Sequence, residues 1–167
     1  MNDMTSQNAI TIRPALVEDA KLVLQFIKGL AEYEKLSDEV VATEANIRES
    51  LFGPNANAEA FFAYHGTEAV GCAIFCQHYS PYSGRSSLYL EDIFVLPDWR
   101  SHGVGRELMA YGSGLAQERG YPRMEWSVLD WNEPAIGFYE NLGAERVEGW
   151  YTYRLSGEAL KRLNTRD

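Results

Sequence analysis

The chain has 167 residues, of which 46% are hydrophobic and 13% aromatic, a size and composition that suit one closed core. The formal net charge of −9 at pH 7 disfavours nucleic acid as a partner and favours a small cationic molecule. No apolar run approaches the ~18 residues that a membrane-spanning helix needs, and residues 1–9 lack the basic-then-apolar order of a secretory signal. We therefore expect a cytoplasmic protein with no membrane partner, a flexible N-terminus at 1–9 and a single domain at 10–167.

The first half of the chain predicts a strand, two helices and then an antiparallel meander. Alternation predicts a short strand over 9–13, and apolar residues at helical spacing predict a helix over 17–36. Thr43 is a suitable N-cap for a second, short helix, which the Gly53-Pro54 pair ends. Aromatic and β-branched runs separated by turn residues then predict three strands, at 61–64, 69–79 and 87–95.

In the second half, helices and strands alternate. We predict helices over 105–119 and 135–142, the latter after a capping Asn132, and a last helical turn over 157–163. Three strands are predicted between and after these helices, at 124–129, 144–147 and 150–155. The expected fold class is α/β (α+β), with a mixed, largely antiparallel sheet of six to seven strands flanked by about four helices.

The most informative local pattern is a strand that runs into a glycine-containing loop and then a helix. The loop carries Gly103 and Gly105, which permit close approach to the main chain, and Arg100 and Arg106, which add positive charge. Uncovered N–H groups at the start of a helix bind anions, so this loop is a candidate diphosphate site. An ordinary tight turn is the simpler alternative. A dinucleotide-binding Rossmann loop is disfavoured, because its third glycine is missing and three strands already precede it.

Two linked motifs strengthen the interpretation of this loop. They are Arg100-x-x-Gly103-x-Gly105 and, one helix and one strand later, Asn132-x-x-Ala135-x-x-x-Tyr139-x-x-x-Gly143. The pair resembles the acetyl-CoA motifs of the GNAT acetyltransferase superfamily. Further segments are similar to its spermidine/spermine N-acetyltransferase subfamily, including the thialysine-acetylating relatives: Ile12-Arg13-Pro14, Leu30-Ala31-Glu32-Tyr33-Glu34, Leu88-Tyr89-Leu90-Glu91-Asp92 and Asp130-Trp131-Asn132-Glu133-Pro134.

The resemblance implies a GNAT-like sheet that is splayed centrally, with acetyl-CoA as cosubstrate in the gap. The strand at 88–95 and the strand at 124–129 would diverge there, and uncovered backbone groups would hold the pantetheine amides. A capping role for Asn132 is compatible with a contact to the cofactor arm. The cofactor-binding residues implied in this way are Phe94, Val95, Arg100, Gly103, Val104, Gly105, Arg106, Asn132 and Tyr139.

The same resemblance assigns proton transfer to Glu91 and Tyr139. Glu91 would accept the amine proton through water, with Asp92 helping to hold the cation. Two adjacent carboxylates in an apolar strand are unusual, but we expect them to point to opposite faces of the sheet. The alternative is one exposed and one ion-paired carboxylate. Tyr139 would protonate the departing sulfur, or hydrogen-bond to it, and simple aromatic packing beside Phe138 is the alternative.

Substrate selection is the point at which the sequence departs from polyamine acetyltransferases. They carry an acidic residue and a tryptophan before the Glu-Asp strand, whereas this chain has Ser80-Pro81-Tyr82, and Tyr82 is a candidate substrate contact. That difference resembles the thialysine-acetylating relatives. Tyr33 and Glu34 match positions that reach the amine from a dimer partner, so the resemblance implies a homodimer. A solvated helix face is the alternative for Glu34.

Other reactive side chains do not indicate a separate site. The three histidines, His65, His78 and His102, lack metal-ligand spacing, and no metal is expected. Cys72 and Cys76 would lie ~13 Å apart on one extended strand, too far for a mutual disulfide. Neither lies in a recognisable nucleophile setting, so no acyl-enzyme is expected.

The sequence therefore predicts an acetyl-CoA-dependent N-acetyltransferase that transfers the acetyl group directly to a primary amine of a small cationic substrate. A polyamine, a diamine and a thialysine- or lysine-like amino acid are the substrates considered. One alternative is acetylation of a protein lysine or N-terminus. An alternative of another class is a non-catalytic acyl-CoA-binding module.

Overall fold

A computed structural model describes residues 9–164 of the chain. They form two compact units that divide between Ser127 and Val128. The flexible N-terminus expected at 1–9 lies, apart from Ala9, outside the described residues. The expectation of a single domain over 10–167 stays a prediction.

The first unit is built on one five-stranded mixed sheet in which sequence order and spatial order agree. The first four strands are antiparallel to their neighbours, with hairpins only from the second to the third and from the third to the fourth, and the last two strands pair in parallel. A parallel neighbour needs a crossover, which the third helix supplies. The strands are β1 (Ile10–Pro14), β2 (Ala58–His65), β3 (Glu68–Ser80), β4 (Arg85–Val95) and β5 (Met124–Trp126).

Two helices cover one face of this sheet. They are α1 (Ala20–Tyr33) and α2 (Glu44–Phe52), and the apolar side chains that predicted them by periodicity are buried with those of the central strands. The Phe26 ring of α1 packs against Phe62 of β2 and Phe94 of β4. Thr43 caps α2 as expected, since its Oγ1 accepts a hydrogen bond from the Asn46 N–H at 3.2 Å.

The crossover helix α3 (Val104–Glu118) packs on the opposite face. Its Gly112 lies directly against Phe75 of β3, and its Tyr111 ring lies 4.8 Å from that of Phe61. Val104 and Leu108 lie against the backbone of Gly71, so the start of α3 is anchored on the centre of the sheet.

The second unit contains α4 (Glu133–Asn141) and α5 (Gly157–Asn164). The strands predicted at 144–147 and 150–155 are wrong, because these residues form no strand in the structure, and β5 ends at Trp126 rather than at 129. The prediction of six to seven strands is therefore corrected to five among the described residues, with five α-helices rather than about four. The physical reason is that alternation permits a strand, whereas a strand also needs a neighbour with which to exchange hydrogen bonds.

None of the helices described between residues 9 and 164 combines the length and apolar character needed to cross a membrane.

Candidate active site

A β-bulge in β4 sets the geometry of the candidate site. In the ladder with β3, Phe75 is opposite Leu90, but the next residue back along β3, Ile74, is opposite Asp92. Glu91 is therefore the extra residue of β4. A bulge disturbs the simple alternation of side chains along a strand and increases its local twist.

The bulge brings Glu91 and Asp92 to the same face of the sheet. The Cys76 thiol donates a hydrogen bond to Oε1 of Glu91 at 3.2 Å, and Asp92 lines a small cavity together with Cys72 and Ile74. Cys72, Ile74 and Cys76 are spaced two apart on β3 and so share one face. The expectation that the two carboxylates point to opposite faces is therefore wrong, because it assumed a regular strand.

The electrostatics of this face favour a cation. Burial, followed by the neighbouring Glu34 and Glu91 carboxylates, raises the pKa of Asp92 to about 6. Burial also raises the pKa of Glu34. Glu34 and Glu91 thus both repel a negative charge on Asp92, beside a cavity whose other lining side chains are apolar except for the Cys72 thiol. A positively charged group placed here would relieve that repulsion.

Glu34 reaches this cluster from within the same chain, at the C-terminal end of α1. Its neighbour Tyr33 lies 4.7 Å, ring centroid to guanidinium carbon, from Arg100. Both residues were expected to reach the amine from a dimer partner. Tyr82 is 94% exposed on the turn before β4, and seven strand positions separate Arg85 from Asp92, roughly 20 Å along an extended strand. The structure therefore does not bring Tyr82 to the carboxylates.

The Arg100 side chain packs against the end of β4. Its guanidinium carbon lies 5.5 Å from the centroid of the Phe94 ring, and its Nε donates a hydrogen bond to the Val95 carbonyl at 3.2 Å. These contacts fasten the loop to the end of β4. The side chain is nevertheless exposed, so its charge remains available near the loop.

The glycine-containing loop has the form of an anion cradle. Gly103 caps α3 with φ of +82°, in the left-handed region that favours glycine, and its carbonyl accepts the Glu107 N–H at 3.0 Å. The N–H groups of Val104, Gly105 and Arg106, in the first turn, have no acceptor within the helix. Because they point outward at the positive end of the helix dipole, these residues fit the diphosphate of acetyl-CoA.

The edge of β4 supplies a second set of polar backbone groups. Its parallel ladder with β5 covers only Leu88 to Leu90. Across the described residues no ladder pairing continues on this edge from Glu91 to Val95. Backbone N–H and C=O groups there are of the kind that an amide-bearing arm such as pantetheine can bind. The edge includes the predicted contacts Phe94 and Val95.

In the second unit, Asn132 and Tyr139 are both well buried. Asn132 is 6% exposed and its Oδ1 accepts a hydrogen bond from the Ala135 N–H at 3.4 Å, so the expected capping role is present. Tyr139 is 9% exposed on α4, and its ring lies 5.3 Å from that of Phe138. The packing alternative for Tyr139 therefore has a structural basis too.

Sequence reasoning missed a cluster of different chemistry beside Glu91. One ligand atom each from Cys76, His78 and Glu91 lies within 4.8 Å of the other two. Burial, with the adjacent Glu91 carboxylate, raises the pKa of the Cys76 thiol to about 12. The Cys-x-His spacing on a strand was the available signal, since residues two apart share a face, but the third member comes from another strand.

Comparisons with known proteins identify the family of the chain. Residues 27–144 match the Acetyltransferase (GNAT) family. A thialysine N-epsilon-acetyltransferase of Sus scrofa is 36% identical over 93% of this chain and 97% of that protein, and one of Caenorhabditis elegans is 33% identical over 96% and 98%. An integron cassette protein of V. cholerae superposes with a TM-score of 0.77 at 23% identity, covering 94% and 98% of the two chains, which shows the shared fold. The chain therefore belongs to the GNAT acetyltransferase family, as the paired motifs predicted.

Proposed function

We propose that the protein transfers an acetyl group from acetyl-CoA directly to a primary amine of a small cationic substrate. The observation that carries the proposal is the group of three carboxylates, Glu34, Glu91 and Asp92, beside an apolar cavity. Among such amines we favour a thialysine- or lysine-like amino acid over a polyamine or diamine. The thialysine N-epsilon-acetyltransferases at 33% and 36% identity support that choice.

Binding and deprotonation of the amine fall to the carboxylates. A lysine-like ammonium of pKa ~10.4 must lose its proton before it can attack, which costs ~4.6 kcal/mol at pH 7. We assign the proton to Glu91, which is exposed and therefore accessible to the amine or to a bridging water. Asp92 and Glu34 hold the cation, and the apolar side chains from α1 line the path of its alkyl chain.

Cofactor binding falls to the cradle and to the edge of β4. The N–H groups of Val104, Gly105 and Arg106 bind the diphosphate, with the Arg106 side chain adding charge. Asn132 contacts the cofactor arm while it caps α4. Acetyl-CoA, when bound, supplies the acyl group as a thioester. Tyr139 donates a proton or a hydrogen bond toward the departing sulfur, which lowers the cost of releasing a thiolate.

A homodimer is part of the proposal. Large aromatic side chains are exposed between α4 and α5, namely Trp150 at 75%, Tyr151 at 87% and Tyr153 at 91%. Such a group is unfavourable in water and suits a second copy of the chain. Light scattering at micromolar concentration would test this, and a monomer would contradict it. We also propose a cytoplasmic location, because Cys72 and Cys76 are free thiols.

The decisive experiment is an amine panel with release of the CoA thiol as the readout. We expect turnover with thialysine and lysine to exceed that with spermidine, spermine and diamines. Turnover only with peptides would instead indicate a protein acetyltransferase. Tight binding of acetyl-CoA with no turnover on any amine or peptide would indicate a non-catalytic module and refute the proposal.

A further inference from the structure

We propose that Cys76, His78 and Glu91 form a binding site for one divalent transition-metal ion of the zinc class, and that occupation of this site inhibits acetyl transfer. The binding half of this inference stands on the three side chains alone. The inhibitory half rests on the proposed function of Glu91.

The three side chains are close enough to share one metal ion. The three candidate ligand atoms lie within 4.8 Å of one another, and the sulfur of Cys76 is 3.2 Å from Oε1 of Glu91. Around a tetrahedral zinc ion with Zn–S of about 2.3 Å and Zn–N or Zn–O of about 2.1 Å, ligand atoms are roughly 3.4 to 3.6 Å apart. Side-chain rotations that move the ligand atoms by roughly 1 Å are therefore enough to bring all three to bonding distance of one zinc ion.

The backbone holds the three residues in place. Cys76 and His78 lie two apart on β3 and face the same side, and the bulge in β4 brings Glu91 to that side. The His78 ring is stacked on that of Tyr89, with 4.3 Å between centroids, and the Tyr89 hydroxyl lies 2.9 Å from Oγ of Ser127. Paired strands and a stacked ring lower the ordering cost of binding.

The donor atoms of the three side chains select the kind of metal. A thiolate, an imidazole nitrogen and a carboxylate make a mixed donor set that suits zinc or cobalt(II) and disfavours calcium and magnesium, which prefer oxygen ligands alone. Three protein ligands leave a coordination position for water. On binding, the Cys76 sulfur forms a bond to the metal and its proton leaves to solvent, with no change of oxidation state. His78 and Glu91 are exposed, so an ion can enter from solvent.

Inhibition follows from the shared ligand. A metal ion on the Glu91 carboxylate occupies the oxygen that we assign to the amine proton. It also places positive charge where the ammonium of the substrate is expected to bind. Metal and amine should therefore compete.

Cobalt(II) provides a spectroscopic test that does not depend on activity. Added to the chelator-treated full chain, it should bind with one equivalent and give both a thiolate-to-metal charge-transfer band and the visible bands of a tetrahedral ion. Cys76→Ser should abolish the charge-transfer band, and His78→Gln should weaken cobalt and zinc binding by at least tenfold, since even the loss of an outer-shell partner costs 10- to 100-fold. Cys72→Ala and His65→Gln, matched controls outside the cluster, should keep wild-type affinity.

The outcomes separate the two halves of the inference. A missing charge-transfer band, or unchanged zinc affinity in both Cys76→Ser and His78→Gln, would overturn the metal site, and circular dichroism would verify that the variants fold. Zinc should slow turnover of the wild-type protein. The zinc concentration needed for half-maximal inhibition should be at least tenfold higher for Cys76→Ser. Cobalt binding with the predicted spectrum but no inhibition would overturn only the inhibitory half. A protein inactive on every amine would leave the spectroscopic test intact.

Discussion

Glu91 and Asp92 are consecutive in the chain and yet lie on the same face of the sheet, because Glu91 is the extra residue of a bulge in β4. Two carboxylates on one face can divide the tasks of accepting a proton and holding a cation. Their environments differ accordingly, since Glu91 is exposed and Asp92 is half-buried.

The division of tasks predicts different kinetic effects for two isosteric variants. Glu91→Gln should lower kcat by about 10²- to 10⁴-fold, the usual contribution of a general base, with a smaller change in KM. Asp92→Asn should chiefly raise KM for the cationic amine, by roughly 10- to 100-fold, as expected for one lost charge-assisted interaction. Steady-state thiol release at varied amine concentration measures both. Equal effects of the two variants on KM, with kcat unchanged, would contradict the assignment.

Asp92 should also make stability depend on pH. Its pKa rises from 3.8 to about 6 on folding, so the folded state binds the proton more tightly than the unfolded state does. The resulting stabilisation is complete below about pH 4 and is lost as the pH rises through about 6. At about pH 8 the free energy of unfolding of Asp92→Asn, from denaturant titration, should therefore exceed that of wild type by on the order of 1 to 3 kcal/mol. This difference should disappear near pH 4. The exposed Asp98→Asn is the control, to be measured with a chelator present.

Gly103→Ala should weaken binding of coenzyme A. The residue has φ of +82°, so a side chain strains the cap of α3 by roughly 1 to 2 kcal/mol or displaces the N–H groups of its first turn. Gly66→Ala is a matched control, since Gly66 also has a positive φ, +60°, and neither position has an atom within 4 Å of an added Cβ. Both variants should lose similar stability. Calorimetry should show an affinity loss for Gly103→Ala alone, and an equal loss in both would refute the cradle.

Two glycines of α3 test the packing of the crossover helix. An added Cβ at Gly112 would lie 2.7 Å from Cζ of Phe75, whereas one at Gly114 would meet no atom within 4 Å. Gly112→Ala should lower the free energy of unfolding by about 1 to 2 kcal/mol, since overpacking outweighs the gain in helix propensity. Gly114→Ala should raise it by about 0.5 to 1 kcal/mol. Urea denaturation measures both, and a stabilising Gly112→Ala would contradict the packing.

Tyr139→Phe tests the role of the hydroxyl without removing the ring. If the hydroxyl assists the departing sulfur, kcat should fall by at least about 10²-fold while binding of coenzyme A and the thermal unfolding midpoint change little. Tyr111→Phe, on α3, is the control for loss of a hydroxyl elsewhere. Unchanged turnover in Tyr139→Phe would leave only a packing role for this residue.

The helices, the central strands and the family motifs could be predicted from the sequence, because they depend on residues that are close together in the chain. Periodicity predicted the bounds of α1, α3 and the central strands to within a few residues. Thr43 and Asn132 were predicted as helix caps from their residue types, and each accepts the short-range hydrogen bond that this role requires. The glycine loop and the motif around Asn132 and Tyr139 depend on spacing along one chain. They were therefore sufficient to identify the family.

Tertiary structure alone decided which carboxylates meet. The bulge at Glu91 arises from the register between β3 and β4, which no local pattern encodes. It brings Glu91 beside Cys76 and places Asp92 on the cavity that α1 side chains line. The same reason explains the error over 144–155, where alternation was present but ladder pairing was not. Helices and caps are made by neighbours in sequence, whereas strands, bulges and charge clusters are made by residues that are distant in the chain.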